Sequence, residues 1–257
     1  MVKKYFKGKD TAQIVALVDK ICEEKLQPFI DQSYQELAEL LNSYEQKMFM
    51  KREAIADQGI WCGKKRYLLS VWNNEGVAYA KPKIKVTGLD SVRSTTAVAA
   101  KQAIEASYEI LLNGTEDEMQ AYYEKVKNNW NSLSVADIAI GSSVQGLSKY
   151  KINDSGLPIN HRSALVHNIM IDKLNLGDRL EKIKDGEKIK MVHLNIPNPA
   201  QSKVIGFVDH VPKEFGIERY IAYDLMFEKA LGNILTDLCS VVGWSPVKIA
   251  TLDDFFS

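Results

Sequence analysis

The feature that most restricts the fold of this sequence is a change of hydrophobic rhythm about a third of the way along it. From Arg66 to Val86 the apolar residues recur at the two-residue step of strands, and on either side they recur at the three- and four-residue steps of helices. Arg66-Tyr67-Leu68-Leu69-Ser70-Val71-Trp72 reads as a strand. Asn73-Asn74-Glu75-Gly76 reads as a hairpin turn into Val77-Ala78-Tyr79, and Ile84 and Val86 mark one more extended piece ending at Gly88. Before this block, Asp10 can cap a helix while Gln13 reaches back to it. Ile14, Leu17, Val18, Ile21, Phe29, Tyr34, Leu37 and Leu41 then predict one broken helix, or two, to about Asn42, with Pro28 at the break. Lys47 to Met50 reads as a short strand. After Ser94-Thr95-Thr96 the pattern is helical from Ala97 to Leu112, stops at Asn113-Gly114, and resumes from Thr115 to Trp130 behind a Thr115/Glu118 capping box.

The remainder mixes elements. Gly141 to Gly146 reads as a loop of small residues, Asn153 to Gly156 as a turn, and His161 to Leu174 as a helix. Glu187 to Leu194 alternates like a strand, Pro197-Asn198-Pro199 breaks it, and Val204 to Val208 returns antiparallel to it. Arg219 to Val242 predicts a long closing helix, and Leu252, Phe255 and Phe256 stand in a terminal tail. The expected class is α+β, with a boundary near residues 88 to 93.

Several functions lack any signal. No apolar run approaches the roughly 20 residues of a membrane span, so a soluble, intracellular protein with no membrane partner is expected. Cys22, Cys62 and Cys239 are odd in number and far apart, which fits neither a disulfide framework nor a zinc site. His161, His167, His193 and His210 form no ligand spacing, and no metal-binding residue is expected. Nucleophile-elbow, phosphate-loop, dinucleotide-fingerprint and D-x-D motifs are missing.

Charge is more informative. The formal net charge is zero, yet Trp61 to Lys101 carries eight basic residues against Glu75 and Asp90 alone, whereas Thr115 to Glu124 is purely acidic. A local basic stripe is what a polyanion partner uses. Within it, Lys64-Lys65-Arg66-Tyr67 begins a strand just after Gly63. It fits first a solvated basic strand end, and also a set of groups that enter a duplex groove while the Tyr67 hydroxyl and backbone hold phosphates.

These residues, together with Arg52-Glu53-Ala54-Ile55, Pro82 to Gly88, Arg93-Ser94-Thr95-Thr96 and the Gly146 to Tyr150 loop, resemble the C-terminal third of B-family DNA polymerases of T4-like bacteriophages. The likeness continues through His161-Arg162, Ile196-Pro197-Asn198-Pro199, Gly243-Trp244 and the tail Ala250 to Phe256. The resemblance implies that residues 1–88 are the last part of the palm, 89–247 the thumb and 248–257 a clamp-binding tail. It implies a DNA-directed DNA polymerase piece working in the cytoplasm of an infected bacterial host. The family's metal-binding aspartates, fingers helix and exonuclease domain have no counterpart in this sequence. Mg²⁺ would therefore be bound mainly by a partner, an N-terminal polymerase fragment carrying those parts, and this chain alone would be inactive.

By the same resemblance Glu53 sits beside the metals without ligating them; the residues alone also permit a carboxylate paired with Arg52 or Lys51. Lys64, Lys65, Arg66 and Tyr67 would grip the primer end of a primer-template DNA, through minor-groove acceptors that all correct pairs share. Arg93, Ser94 and Thr95 would hold phosphate at a helix start. Ser142, Ser143, Gly146, Lys149 and Tyr150 would form a second backbone grip, and His161 with Arg162 a third; each also reads as a plain cap or loop. Leu252, Phe255 and Phe256 would enter a pocket of the sliding clamp, with Asp254 standing where the family has an aromatic or aliphatic residue. The same features also fit a non-catalytic, clamp-tethered duplex-DNA-binding module.

Overall fold

In the computed structural model, which describes Gly8 and residues 10–248, the chain divides into two compact units, Met1–Thr87 and Gly88–Ser257. Leu252, Phe255 and Phe256 lie outside the described residues. Helices and antiparallel sheets make both units, so the chain is α+β. No described helix is long and apolar enough to cross a membrane.

The first unit opens with α1 (Thr11–Ile21), begun by the Asp10/Gln13 capping box. A five-residue π-helical turn, Cys22–Leu26, joins it to α2 (Gln27–Leu40). Pro28 has no N–H to donate into the preceding turn, and a widened turn at that point keeps the helix continuous. The predicted strand at 47–50 does not form. Gln46 instead bonds through its side chain to the amide and carbonyl of Met48, and Phe49 is 82% exposed, so the segment has neither a strand partner nor an apolar face to bury.

Three strands follow, β1 (Ala54–Gly63), β2 (Arg66–Asn74) and β3 (Val77–Thr87), in the order β1-β2-β3 and antiparallel throughout. β1 has no clean alternation, because the register slips between Ile55 and Ala56, between Ala56 and Gln58, and at Trp61/Gly63. β3 runs unbroken through Pro82, which an edge strand tolerates, rather than as two pieces. One sheet face carries Ile60, Leu68 and Val86 in register, and Leu68 is the best-buried of them. The Asp19 carboxylate, the Arg52 guanidinium and the buried Asn73 amide form one network that ties α1 to the β2–β3 turn.

The second unit starts with a 3₁₀ turn (Asp90–Val92) and α3 (Val98–Asn113). The Thr115/Glu118 capping box then opens α4 (Glu116–Trp130), and α5 (Val135–Ile138) leads into β4 (Ile140–Ser143). The small-residue stretch at 141–143 is therefore a strand and not a loop. β4 pairs with β5 (Lys188–His193), which pairs with β6 (Val204–Phe207). α6 (Ile159–Lys173) lies on β6 at a distance set by Gly206, where a Cβ would come within 3.0 Å of the Ser163 hydroxyl. The His167 ring donates from Nδ1 to the Gly206 carbonyl across that contact.

The closing helix begins at Tyr223 rather than Arg219. α7 (Tyr223–Phe227), a π-helical turn (Glu228–Gly232) and α8 (Asn233–Val241) follow end to end. Tyr123 and Trp130 of α4 meet Phe227 of α7 edge-on, with ring centroids 5.2 and 5.4 Å apart. Burial pushes the Tyr123 hydroxyl up to about 12, with Glu228 adding to it.

Candidate nucleic-acid interface

In the first unit Lys64, Lys65 and Arg66 stand together at the β1–β2 hairpin. Gly63 pairs with Arg66, which leaves Lys64 and Lys65 as a two-residue turn at the tip, both exposed. The Lys64-to-Tyr67 run is thus half turn and half strand, where the sequence predicted a strand start. Lys65 has φ 60°, a left-handed backbone that favours glycine or asparagine. Gly63 faces open space, since a Cβ there would meet nothing within 4 Å. Tyr67 is half-buried and lies in one row with Trp61 and Thr87 across the sheet.

The lysines of β3 divide by environment. Lys81 and Lys83 are exposed on the edge strand, and the Lys83 ammonium sits 4.3 Å from the centre of the Tyr79 ring. Lys85 is partly exposed and donates to Glu53 at 2.5 Å and to Asn74 at 2.9 Å; the Glu53 hydrogen bond holds its ammonium above the usual lysine range. Glu53 therefore pairs with Lys85, while Arg52 is committed to Asp19 and Asn73. Neighbour pairing is displaced because residues 51–53 run straight into β1, and the β2–β3 hairpin brings Lys85 to Glu53. An open cleft of about 900 Å³ reaches Glu53 between Cys22, Asp31, Phe49 and Gly76.

In the second unit Arg93, Ser94 and Thr95 precede the helix they were expected to open, which starts at Val98. The Thr95 carbonyl accepts from Gly141 N–H at 2.8 Å and the Thr96 hydroxyl donates to the Asp90 carbonyl, so these bonds tie the turn to β4 and to the 3₁₀ turn instead. Arg93 is 2.8 Å from Asp90 with half its side chain exposed. A Cβ on Gly141 would stand 3.1 Å from the Thr95 backbone, so any side chain there would have to push the two segments apart.

Ser142 and Ser143 continue along β4, and the loop after it folds against the start of α6. Asn160 donates to the Ser143 carbonyl at 2.8 Å. The His161 ring is buried, with its nitrogens 3.0 Å from Asn160 Oδ1 and 2.9 Å from the Gln145 carbonyl, and Tyr150 packs on it at 4.6 Å between centroids. His161 is the third residue of α6 and anchors the loop from inside; Arg162, half-buried beside it, contacts the Ile152 carbonyl at 3.4 Å. Lys149 is exposed.

One participant has no local signature. The Asp185 carboxylate accepts from the N–H groups of Gly146, at 2.5 Å, and Leu147, at 3.1 Å. It lies 39 residues from Gly146, beyond the reach of any spacing motif. The Gly146 amide is thus filled within the chain. Arg93 to Thr95, Ser142, Ser143 and the Lys149–Tyr150 loop do come together around β4 and the start of α6.

Among the described residues no group of three His, Cys, Asp or Glu side chains could hold a metal ion. His167 and His193 are held below the usual imidazole range by burial, the latter also by Lys229. What both units offer chemically is exposed cations, hydroxyls and an aromatic surface.

No family model matches the chain. It is similar to the DNA-directed DNA polymerase of Escherichia phage RB69, with 30% identity over 97% of this chain, and to that of Enterobacteria phage T4, with 28% identity over 96%. The chain spans 29% of the length of each of these relatives.

Proposed function

We propose that this chain is the palm end and thumb of a DNA-directed DNA polymerase of the B family. In this role it holds primer-template duplex for nucleotidyl transfer while the metal aspartates, fingers and exonuclease reside in other polymerase sequence. The observation that carries the reading is the similarity to two phage polymerases over nearly the whole chain. The exposed Lys64–Lys65 tip adds to it. A lysine at φ 60° occupies a position where glycine or asparagine is easier, and a residue kept in such a conformation points to a use for its side chain.

The division of work follows from the geometry. Lys64 and Lys65 project from a rigid hairpin and can donate to acceptors in the minor groove, with Tyr67 behind them. Lys81 and Lys83 extend the positive edge along β3. In the second unit Arg93, Ser94, Thr95, Ser142, Ser143, Lys149, Tyr150 and Arg162 track the duplex backbone. The Gly146 amide and His161 support that surface from within, Gly146 through Asp185 and His161 through Gln145. Glu53 orders Lys85 beside the cleft. No step of phosphoryl transfer is assigned to the described residues, which build no metal site of their own. The tail with Leu252, Phe255 and Phe256 tethers the enzyme to a sliding clamp, and the setting is an infected bacterial cell.

The test is duplex binding by the full chain, measured by fluorescence anisotropy across a salt series. Affinity should fall linearly in log–log form, and Arg93→Ala with Lys149→Ala should flatten the slope by roughly 0.9 for each phosphate no longer neutralised. A chain that binds no primer-template at low salt sinks the proposal.

A further inference from the structure

Trp61 has no part in the grip described above, and its surroundings are unusual for the largest side chain. It is 66% exposed near the turn end of the edge strand β1, two residues before the Gly63–Arg66 pair that closes the turn. Its ring has a definite seat. Cη2 and Cζ3 of its six-membered ring lie 2.7 and 2.8 Å from where a Cβ on Gly59 would be, and Leu69 Cδ2 lies 2.7 Å from the same point. The indole is laid back along its own strand, over a position that only glycine leaves vacant, against the neighbouring strand's leucine. Gly59 is absent from the positive-φ set, and a Cβ there would have to displace the Trp61 ring or the Leu69 methyl.

The charge around it is equally specific. Trp61 pairs across the sheet with Tyr67, the next pair before Gly63–Arg66 and the Lys64–Lys65 turn, so the pair lies at the end of the hairpin that carries the exposed lysines. An aromatic ring held by backing atoms beside cations is the arrangement by which proteins take unpaired nucleobases. The base stacks on the ring, and the positive turn beside it favours a ligand that carries phosphates. An apolar protein partner would instead be met by an apolar surround, and Lys64 and Lys65 would then have to lose water without an acid to receive them.

We propose that Trp61, backed by Gly59 and Leu69, is a stacking platform for a nucleobase that is not stacked within duplex, at the single-stranded side of a primer-template junction. The inference rests on the DNA-binding reading given above and adds to it an interaction of a different physical kind, which responds to ring area and not to salt.

The experiment is a titration of the full chain with a primer-template duplex carrying a single-stranded overhang, followed by tryptophan emission and by anisotropy. Trp72, Trp130 and Trp244 remain as other emitters, and Trp130 is fully buried. Wild-type emission should be quenched on binding, and Trp61→Phe should remove most of that quench while keeping affinity within about threefold. Trp61→Ala should weaken binding by roughly tenfold with an unchanged salt slope, because stacking releases no counterions. Gly59→Ala should reproduce that weakening by pushing the ring off its seat with Trp61 intact. Thermal melts of each variant separate weakened stacking from damaged folding, and rescue of affinity by phenylalanine but not alanine is a result that folding damage would not give. Binding with no quench from Trp61, or equal affinity for Trp61→Ala and wild type, overturns the platform and leaves the DNA-binding reading standing. No binding by the wild-type chain overturns both.

Discussion

The two units bury their apolar side chains very differently. In the second, Trp130, Tyr108, Phe207, Phe215, Phe227, Ile104, Met119 and Ile171 are all fully buried; in the first, among the described residues, Leu68 and Val71 reach that class and no aromatic side chain does, with Val15, Ala38, Ile55 and Ile60 supporting them. The first unit also leaves Phe29, Leu40, Tyr44, Phe49 and Trp61 between 66 and 105% exposed. The second unit has a core large enough to fix its loops, whereas the first presents surface. The contrast is one of packing: five large apolar side chains stand in water in the first unit, whereas the second encloses its aromatics.

The sharpest way to break that comparison is to remove the aromatic centre of the second unit. Phe227→Ala deletes two edge-on ring pairs and leaves a cavity, and we expect a destabilisation of about 3–5 kcal/mol by denaturant unfolding. Phe49→Ala in the first unit should cost less than about 0.5 kcal/mol by the same measurement. Equal costs would erase the distinction between the units. Asp185→Ala should cost about 1–3 kcal/mol, because the Gly146 and Leu147 amides lose their acceptor, and hydrogen exchange at those two amides should rise first.

Smaller again is a pH effect confined to the second unit. His167 and His193 have folded-state values below 6.5, so the unfolded chain takes up protons below that pH before the folded chain does. Their contribution is fully present above about pH 6.5 and is lost as the pH falls from there toward the folded-state values. The melting temperature of the second unit should drop by a few degrees over that window. Glu53→Gln should move stability by only about 0.5 kcal/mol, since the Lys85 pair is largely solvated.

Local patterns make much of this fold legible. The Asp10/Gln13 and Thr115/Glu118 boxes mark their helices, and the β2–β3 turn and the β5–β6 pair follow from turn residues and alternation. β1 is not legible because Asp57, Gln58 and Gly59 break its alternation at the bulges, and with β1 hidden the Lys64–Lys65 turn does not show itself as a hairpin tip. β4 is made of residues with poor strand propensity and exists because β5 pairs with it. The expected grip residues are legible as types, but which backbone groups remain open is decided by Asp185, Gln145 and Asn160, partners that no spacing rule supplies.

Our central claim is that this chain is the DNA-holding part of an enzyme whose chemistry lies elsewhere. Primer extension with Mg²⁺ on a primed template measures that directly, run with this chain alone, with a polypeptide carrying the remaining polymerase portions alone, and with both. We expect no nucleotide addition by this chain, and extension when the two are combined. Extension by this chain alone, at any rate that survives rigorous purification, would contradict the claim.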